Sequence, residues 1–389
     1  MTSPGEDRTL LTGAERTALV RAALHLRRPT PLSVHVERVQ ARPDGVSVGY
    51  QVDAPVGRCY LMASTVPAAL ATAPVVVTTN THELRVAVWS HPGDPQLPGL
   101  AEACDLERVR AWLPEARGLE LMTYRALRRA VIKVTGRQGP LAYLKVVRPA
   151  AAPALALRHR GFPGAPRVLG SPAPGVLALE PLAGGTLAAW VAAGGAPVPL
   201  ARLIGAPVPG AAAIPRVPPV SERLSEHVRM IEPRVVGTQR RHLLDLSRDL
   251  HGALAASAAP RPVVLTHGDL HGDNVIVDAA GRPCGVLDVD RCGPGFLLDD
   301  VACLLAHTEV SAAMNDGAAR DHLAAAAQAW WRQAMHPALR RHTDPAALAA
   351  RTAASILALA GVCPDGTVPS VLDLADAYLR RGHQRKDAS

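Results

Sequence analysis

LTHGDLHGDNVIVD, residues 265–278, carries His-Gly-Asp twice, at 267–269 and again at 271–273. Val263-Val264-Leu265 before it and Val275-Ile276-Val277 after it are apolar runs that read as buried strands. Thr266 to Asn274 is therefore a tight polar loop gripped at both ends, a setting that presents side chains rigidly. Asp278-Ala279-Ala280-Gly281 turns the chain back, and Gly285-Val286-Leu287 delivers it to Asp288. The two copies are not equivalent. The fifth residue after Asp269 is Asn274, at the mouth of the second strand, whereas the fifth after Asp273 is Asp278, at its far end. Only the first copy leaves a carboxylate and an amide on one side of a single loop, with Asp288 arriving from the next strand. Such a trio suits phosphoryl transfer. One carboxylate orients a hydroxyl and takes its proton, while an amide oxygen and a second carboxylate hold Mg2+, which prefers oxygen ligands and keeps several waters.

HGDLHGDN matches the pattern H-G-D-x-x-x-x-N and in this resembles the aminoglycoside phosphotransferase and choline-kinase-like superfamily, whose fold is protein-kinase-like. VLDVDRCGPGFLLDDVACL (286–304) is similar to the segment that follows in that family. The resemblance implies Asp269 as catalytic base, Asn274 and Asp288 as magnesium ligands, and Asp300 as a buttress starting a helix at Val301. It makes His267 a support of the loop through hydrogen bonds, and leaves His271-Gly272-Asp273 as mostly loop sequence. LAYLKVVRP (141–149) resembles the family's lysine strand, which implies that Lys145 meets the nucleotide phosphates, with Lys133 the other candidate. VLALEPLAGGTL (176–187) resembles the linker between lobes, so that Glu180 and Leu182 lie at the adenine edge and Thr186 caps a helix through Trp190. Two departures stand out. No Gly-rich loop precedes the lysine strand; Tyr124 to Arg129 takes its place, with Arg128 a candidate phosphate contact. AAAPALALRHR (150–160) contains no acid to pair with the lysine, and His159 sits near that position.

Outward from the motif, the pattern predicts a helix over 13–27 and then mostly strands over 33–92, among them 46–52, 59–63 and 83–89. SHPGDPQLPGL is a break, and 106–113 a short helix. Strands follow at 118–122, 130–134 and 141–147, the last two joined by a hairpin loop at 135–140. A helix at 150–160 and strands near 168 and 176–182 complete the front half. Residues 191–220, rich in Ala, Gly and Pro, read as an irregular connection and not a packed element. Residues 221–256 read as helix with a break at Pro233, and everything beyond Val301 as helix, leaving one small strand pair around the motif. The expected fold is α+β and bilobal, protein-kinase-like, with a small antiparallel-sheet N-lobe over 116–182, a helical C-lobe over 183–389, and an extension over 1–115. Asp299-Asp300 reads as a helix N-cap pair. His307 and His322 read as polar-face residues, Trp330-Trp331 as one core and one surface tryptophan, and Asp373 and Asp376 as a solvated face.

The chain has 389 residues, of which 48% are hydrophobic, enough for more than one core. Its net charge is +8, but the arginines are scattered and the only Phe residues are Phe162 and Phe296, so no aromatic-basic stripe for nucleic acid exists. None of the six cysteines forms a C-x-x-C pair, which argues against structural zinc and for reduced thiols. No apolar run reaches membrane-spanning length, and MTSPGEDRTL lacks a signal-peptide pattern, so a cytoplasmic protein is expected. Together these features lead to an ATP- and Mg2+-dependent phosphotransferase acting on a small-molecule hydroxyl of the aminoglycoside, sugar or amino-alcohol class. The alternative is a kinase-like nucleotide-binding or regulatory protein without turnover, motivated by the missing acid.

Overall fold

The computed structural model describes residues 4–26, 31–42, 44–55, 57–71, 74–78, 83–204, 214–257, 263–336 and 344–383. The chain forms two compact units, one of residues 1–153 and 168–181, the other of 154–167 and 182–389.

The first unit contains two five-stranded antiparallel sheets. Helices α1 (Pro4–Thr12) and α2 (Arg16–Ala23) precede β1 (Ser33–Arg42), β2 (Gly45–Ala54), β3 (Gly57–Ser64), β4 (Pro74–Thr78) and β5 (Glu83–Ser90), ordered β1-β2-β3-β5-β4. The N-terminal helix expected over 13–27 forms as the shorter α2, and α1, ending before Gly13, is a further helix that the sequence pattern did not lead one to expect. Short α3 (Pro67–Leu70), α4 (Leu100–Ala103) and α5 (Leu106–Arg110) lie within this stretch and after it. The second sheet comprises β6 (Gly118–Arg125), β7 (Arg129–Gly136), β8 (Gly139–Val147), β9 (Val168–Gly170) and β10 (Val176–Leu179), ordered β6-β7-β8-β10-β9. Residues of β2 alternate apolar side chains towards α1 and α2, where Val46, Val48, Tyr50 and Val52 join Leu11 and Leu19 in one core. Met62 and Ala87 of the same sheet belong to a second core with Tyr124, Ile132, Leu144 and Val176. The extension and the second sheet are therefore joined by shared apolar burial, the main favourable term in folding.

The turn between β6 and β7 shows how strongly. Leu127 adopts φ +62° although it is neither Gly nor Asn, a conformation that persists only when its surroundings fix it. Its side chain is fully buried. Its N–H donates to Asp94 Oδ2 at 2.7 Å, and its carbonyl accepts from Arg148 Nε at 3.0 Å. The same Asp94 oxygen accepts from Tyr124 Oη at 2.7 Å, and Trp89 Nε1 donates to that hydroxyl at 3.0 Å. Arg38 donates to the Tyr124 carbonyl at 2.9 Å, and Arg42 bonds the Ala126 carbonyl. Where a Gly-rich loop was missing in the sequence, a strained turn is bolted down from residues 38–94.

In the second unit, α6 (Ala152–Gly161) enters from the first, and β11 (Gly185–Thr186) leads to α7 (Leu187–Ala192), capped as expected by Thr186 Oγ1 accepting from Ala189 N at 3.2 Å. Then come α8 (Leu224–Ile231), a 3-10 turn at Glu232–Arg234, and α9 (Gly237–Ala256), with Pro233 in the break. β12 (Val263–Thr266), β13 (Val275–Val277), β14 (Pro283–Val286) and β15 (Gly293–Phe296) surround the motif, followed by α10 (Leu297–Ala313), α11 (Gly317–Ala334), α12 (Pro345–Ala360) and α13 (Val368–His383). Among the described residues there are two small sheets here and not one pair: β11-β13-β14, and β12-β15. Three further expectations are corrected. Trp331 is buried like Trp330, at 2% and 1% exposed, because Arg381 covers its ring at 4.1 Å. Within 191–220, Val198 and Leu200 are core residues, and Trp330 Nε1 donates to the Val198 carbonyl at 2.8 Å; residues 205–213 lie outside the described ones. Helix α10 begins at Leu297 with Phe296 at its N-cap position, so neither Asp299 nor Asp300 caps it.

Replacing Asp94 by Ala strands the buried Leu127 N–H and the Tyr124 hydroxyl. Such losses cost about 1–3 kcal/mol each, and urea unfolding should show a lowered midpoint with an unchanged slope. A second outcome concerns pH. Burial, and then the Arg223 charge, pushes His227 on α8 down to about 4, and neither ring nitrogen has a partner. The unfolded chain takes up this proton near the ordinary value of about 6.5. The stability contributed by the neutral ring is thus full above that pH and is lost as pH falls through about 4. Between pH 7.5 and 5, His227→Phe should lose less stability than the parent.

Candidate active site

The motif loop is built from its backbone outward. β12 pairs with β15 through Thr266↔Gly293, and β13 with β14 through Val275↔Val286, so the loop's two ends are clamped by different sheets. Asp300, in the first turn of α10, is 2% exposed. One carboxylate accepts both leading amides of the loop: His267 N to Oδ2 at 2.7 Å and Gly268 N to Oδ1 at 2.9 Å. Burial pushes the Asp300 carboxyl up, and the His267 side chain and these two amides pull it back. Gly268 has φ +75°, and a Cβ there would stand 2.5 Å from the Arg291 carbonyl, so only Gly fits. Arg291 donates from Nε to the Gly268 carbonyl at 3.2 Å and from its terminal nitrogen to Pro218 O at 2.7 Å. His267 is fully buried; its Nε2 meets the Leu287 carbonyl at 2.8 Å, and its ring packs edge-on to Phe162. It holds the loop and is shut away from reacting groups.

Asp269 is half-buried at the loop's apex. Cys303 Sγ donates to its Oδ1 at 3.9 Å. Burial, together with the Asp269 and Asp300 charges, pushes that thiol well up, so it keeps its proton. Asn274 donates from Nδ2 to the Asp269 carbonyl at 3.0 Å and lies 3.0 Å from His271 Nε2. Both contacts use the amide nitrogen, so neither engages the Asn274 oxygen. Leu287 N bonds the Asn274 carbonyl at 2.7 Å, which places Asp288 one residue beyond that link. Asp288 itself is left-handed, φ +56° and ψ +44°, a state that Asp tolerates better than most side chains. The following turn, Val289–Arg291, is anchored by Val289, fully buried.

His271 and His307 were not singled out in the sequence for this site, yet their rings stack at 4.1 Å with 6° between planes. Burial, then the His271 charge, pushes His307 down to about 3, so it is a neutral ring and not a polar-face residue. The stack fixes His271, which in turn fixes Asn274. Asp269, His271 and His307 bring ligand atoms within 4.8 Å of one another. A metal must lie in the plane of each imidazole that binds it, and two parallel stacked planes share no such point. The triad therefore suits packing better than chelation. The sequence signal for His307 was its place directly after the apolar run Val301–Ala306 of α10.

In the first unit, Lys145 lies on β8 between Val131 and Leu177 and is 5% exposed. Lys133 instead pairs with Glu120 at 2.9 Å on the surface. Arg128 is exposed at the β6–β7 turn, and Glu180 is half-buried just after β10. In the second unit, Leu182 packs on β14, where a Cβ on Gly285 would stand 2.5 Å from its Cδ1. His159 is 4% exposed, with Nδ1 3.0 Å from the Pro166 carbonyl. No described helix is long and apolar enough to cross a membrane. All six cysteines are free.

Asp300→Asn turns one acceptor into an N–H2 group facing a backbone N–H. Expected are a loss of about 1–3 kcal/mol in denaturant titration and faster hydrogen exchange at the His267 and Gly268 amides.

Against known proteins, the model of the phosphotransferase enzyme family matches residues 116–342. No curated protein matches the chain. Solved structures similar to it include a choline/ethanolamine kinase family protein from Mesorhizobium loti, at 16% identity and TM-score 0.49, covering 72% of this chain and 96% of that one. Aminoglycoside phosphotransferase APH(3'')-Id from Streptomyces rimosus aligns at 21% identity and TM-score 0.37, over 70% and 96%. Macrolide 2'-phosphotransferase from Brachybacterium faecium aligns at 18% and 0.38, over 71% and 97%. The matched stretch runs from β6 through the motif loop to α11, more than half the chain, and by it this protein belongs to the phosphotransferase enzyme family.

Proposed function

We propose that the protein transfers the γ-phosphoryl group of ATP, with Mg2+, to a hydroxyl of a small molecule. The observation that carries this reading is the rigid loop in which Asp269 is displayed while Asn274, tied to the Asp269 carbonyl at 3.0 Å, keeps its oxygen available. In the reaction the acceptor oxygen forms a bond to the γ-phosphorus, the bond to the β,γ-bridging oxygen breaks, and ADP leaves. The hydroxyl proton passes to Asp269, whose carboxylate orients the acceptor and whose position Asn274 and Cys303 hold. Asn274 and Asp288 supply the hard oxygen donors that Mg2+ requires. When bound, the ion neutralises charge on the phosphates. Lys145, buried on β8, is the residue proposed to meet the nucleotide phosphates, with Glu180 and Leu182 beside the base and Arg128 an outlying phosphate contact. The domain assignment follows: 116–182 for nucleotide, 183–389 for catalysis and acceptor, 1–115 as the extension that fixes the β6–β7 turn.

One observation favours a second reading, a nucleotide binder without turnover. Helix α6 offers no carboxylate, and His159 is spent on the Pro166 carbonyl. The two readings part in one experiment. MgATP should raise the melting temperature of the parent and of Asp269→Asn alike, while ADP release with a panel of hydroxyl acceptors should fall at least 10^3-fold in the variant, an order of magnitude in keeping with loss of a catalytic base (~10^2–10^4). A variant as active as the parent removes Asp269 from the base role. Stabilisation by MgATP with no transfer to any acceptor selects the binder.

A further inference from the structure

The β6-β7-β8-β10-β9 sheet of the first unit has two unlike faces. Alternation along its strands sends Tyr124, Ala130, Ile132, Leu144 and Val146 into the core shared with the extension. The residues between them take the other face, and there the register aligns cations. Arg125 stands directly opposite Arg129, and Val131, two residues on from Arg129, stands opposite Lys145. Arg129 and Lys145 are therefore diagonal neighbours, about 7–8 Å apart at their backbones, a separation that side chains of this length span to meet one ligand. Exposure grades along the row: Lys145 is 5% exposed, Arg129 half-buried and Arg125 exposed. The five strands carry one acid, Glu120, and Lys133 matches its charge at 2.9 Å. Around them, Arg128 in the turn and Arg148 beyond β8 add positive charge, and Glu180 beyond β10 subtracts from it. Arg38 and Arg42 reach the turn's carbonyls from the extension, each with an acid near it in the chain, Glu37 and Asp44. Asp94 is buried on the core side, bonded to Tyr124 and Leu127. With all of these counted, the β6–β7 end of the sheet keeps an excess of positive charge.

A Gly-rich loop covers phosphates with its own backbone. This turn has two of its amides already committed: Leu127 N–H to Asp94 Oδ2 at 2.7 Å, and Arg128 N–H to the Arg125 carbonyl at 3.0 Å. What it presents instead are the two guanidinium side chains that flank it, at 125 and 129. Like charges directly opposite on neighbouring strands cost stability by themselves. An anion lying along the row meets both, and the planar fork of each guanidinium matches the oxygens of a phosphate. The bolt through Leu127 fixes the backbone that joins them, so their spacing is set before any ligand arrives. We infer that Arg125, Arg129 and Lys145 form a triphosphate site on this face. It holds the phosphate chain of the donor by side-chain charge, and it takes a linear inorganic triphosphate as well as a nucleotide. This rests on the reading of ATP as phosphoryl donor and adds to it two arginines and a way of holding the chain that needs no glycine.

The test measures, for the full chain with Mg2+, the binding of ATP and of inorganic tripolyphosphate, a probe that has the phosphates and no nucleoside. Tripolyphosphate should displace MgATP completely. Arg129→Ala should weaken both ligands at least tenfold and by the same factor, the size expected for loss of a charge-assisted hydrogen bond. Arg125→Ala, at the exposed end of the row, should do the same, which covers the case in which Arg129→Ala fails to fold. A general loosening of the lobe would not weaken the two ligands equally. MgATP binding that tripolyphosphate does not displace overturns the inference. So does an unchanged MgATP affinity in either folded variant, or a loss confined to ATP, which assigns the arginines to the nucleoside end. Each of these leaves the phosphotransferase reading standing. A parent chain that neither binds MgATP nor releases ADP from it overturns that reading itself, and the site with it.

Discussion

The second unit's chemistry depends on one carboxylate bonded to two consecutive amides. Asp300 takes the His267 and Gly268 N–H groups on its two oxygens. The loop cannot slide or rotate without breaking both bonds in a dry environment, where an orphaned amide is costly. Everything beyond it is downstream. Gly268 turns in the left-handed region, Arg291 locks its carbonyl, and Asp269 is displayed from a backbone that has nowhere else to go. The helix dipole of α10 adds to this, because its positive end faces the anion that does the holding.

The loop's layout was readable because it is local. A carboxylate and an amide five residues apart, bracketed by apolar triplets that form β12 and β13, fall within about ten positions. The partners that make it rigid were not readable. Asp300 binds across 33 residues, β12 pairs with β15 and not with its sequence neighbour β13, and His307 reaches His271 from the next helix. No periodicity encodes such pairings. Hydrophobic patterning gave the strands and helices but misjudged Trp331, since a cationic side chain laid over an indole buries it as surely as a leucine does. The start of α10 was misplaced for a similar reason. Two acids before an apolar run look like caps, but here one acid serves a distant loop and the other an arginine.

The choice between Lys145 and Lys133 shows what the structure adds to a motif. They lie on neighbouring strands and on the same face, since Val131 pairs with Lys145 and Lys133 with Tyr143, so what separates them is their position along the sheet and not strand alternation. Lys133 faces Glu120 across the β6–β7 pair, the ordinary fate of an exposed strand lysine. Lys145 is buried in a sheet of aliphatic residues, where an ammonium is tolerated only with compensation. Likewise the net charge of +8 says little about what the protein binds.

The Asp94 bolt makes the front of the chain indispensable to the part behind it. The family's matching stretch starts at 116, yet the turn at 125–129 within it is held in an unfavourable geometry by groups upstream of that point. Cutting those groups away would free a single backbone dihedral, that of Leu127, to relax and carry Arg128 with it.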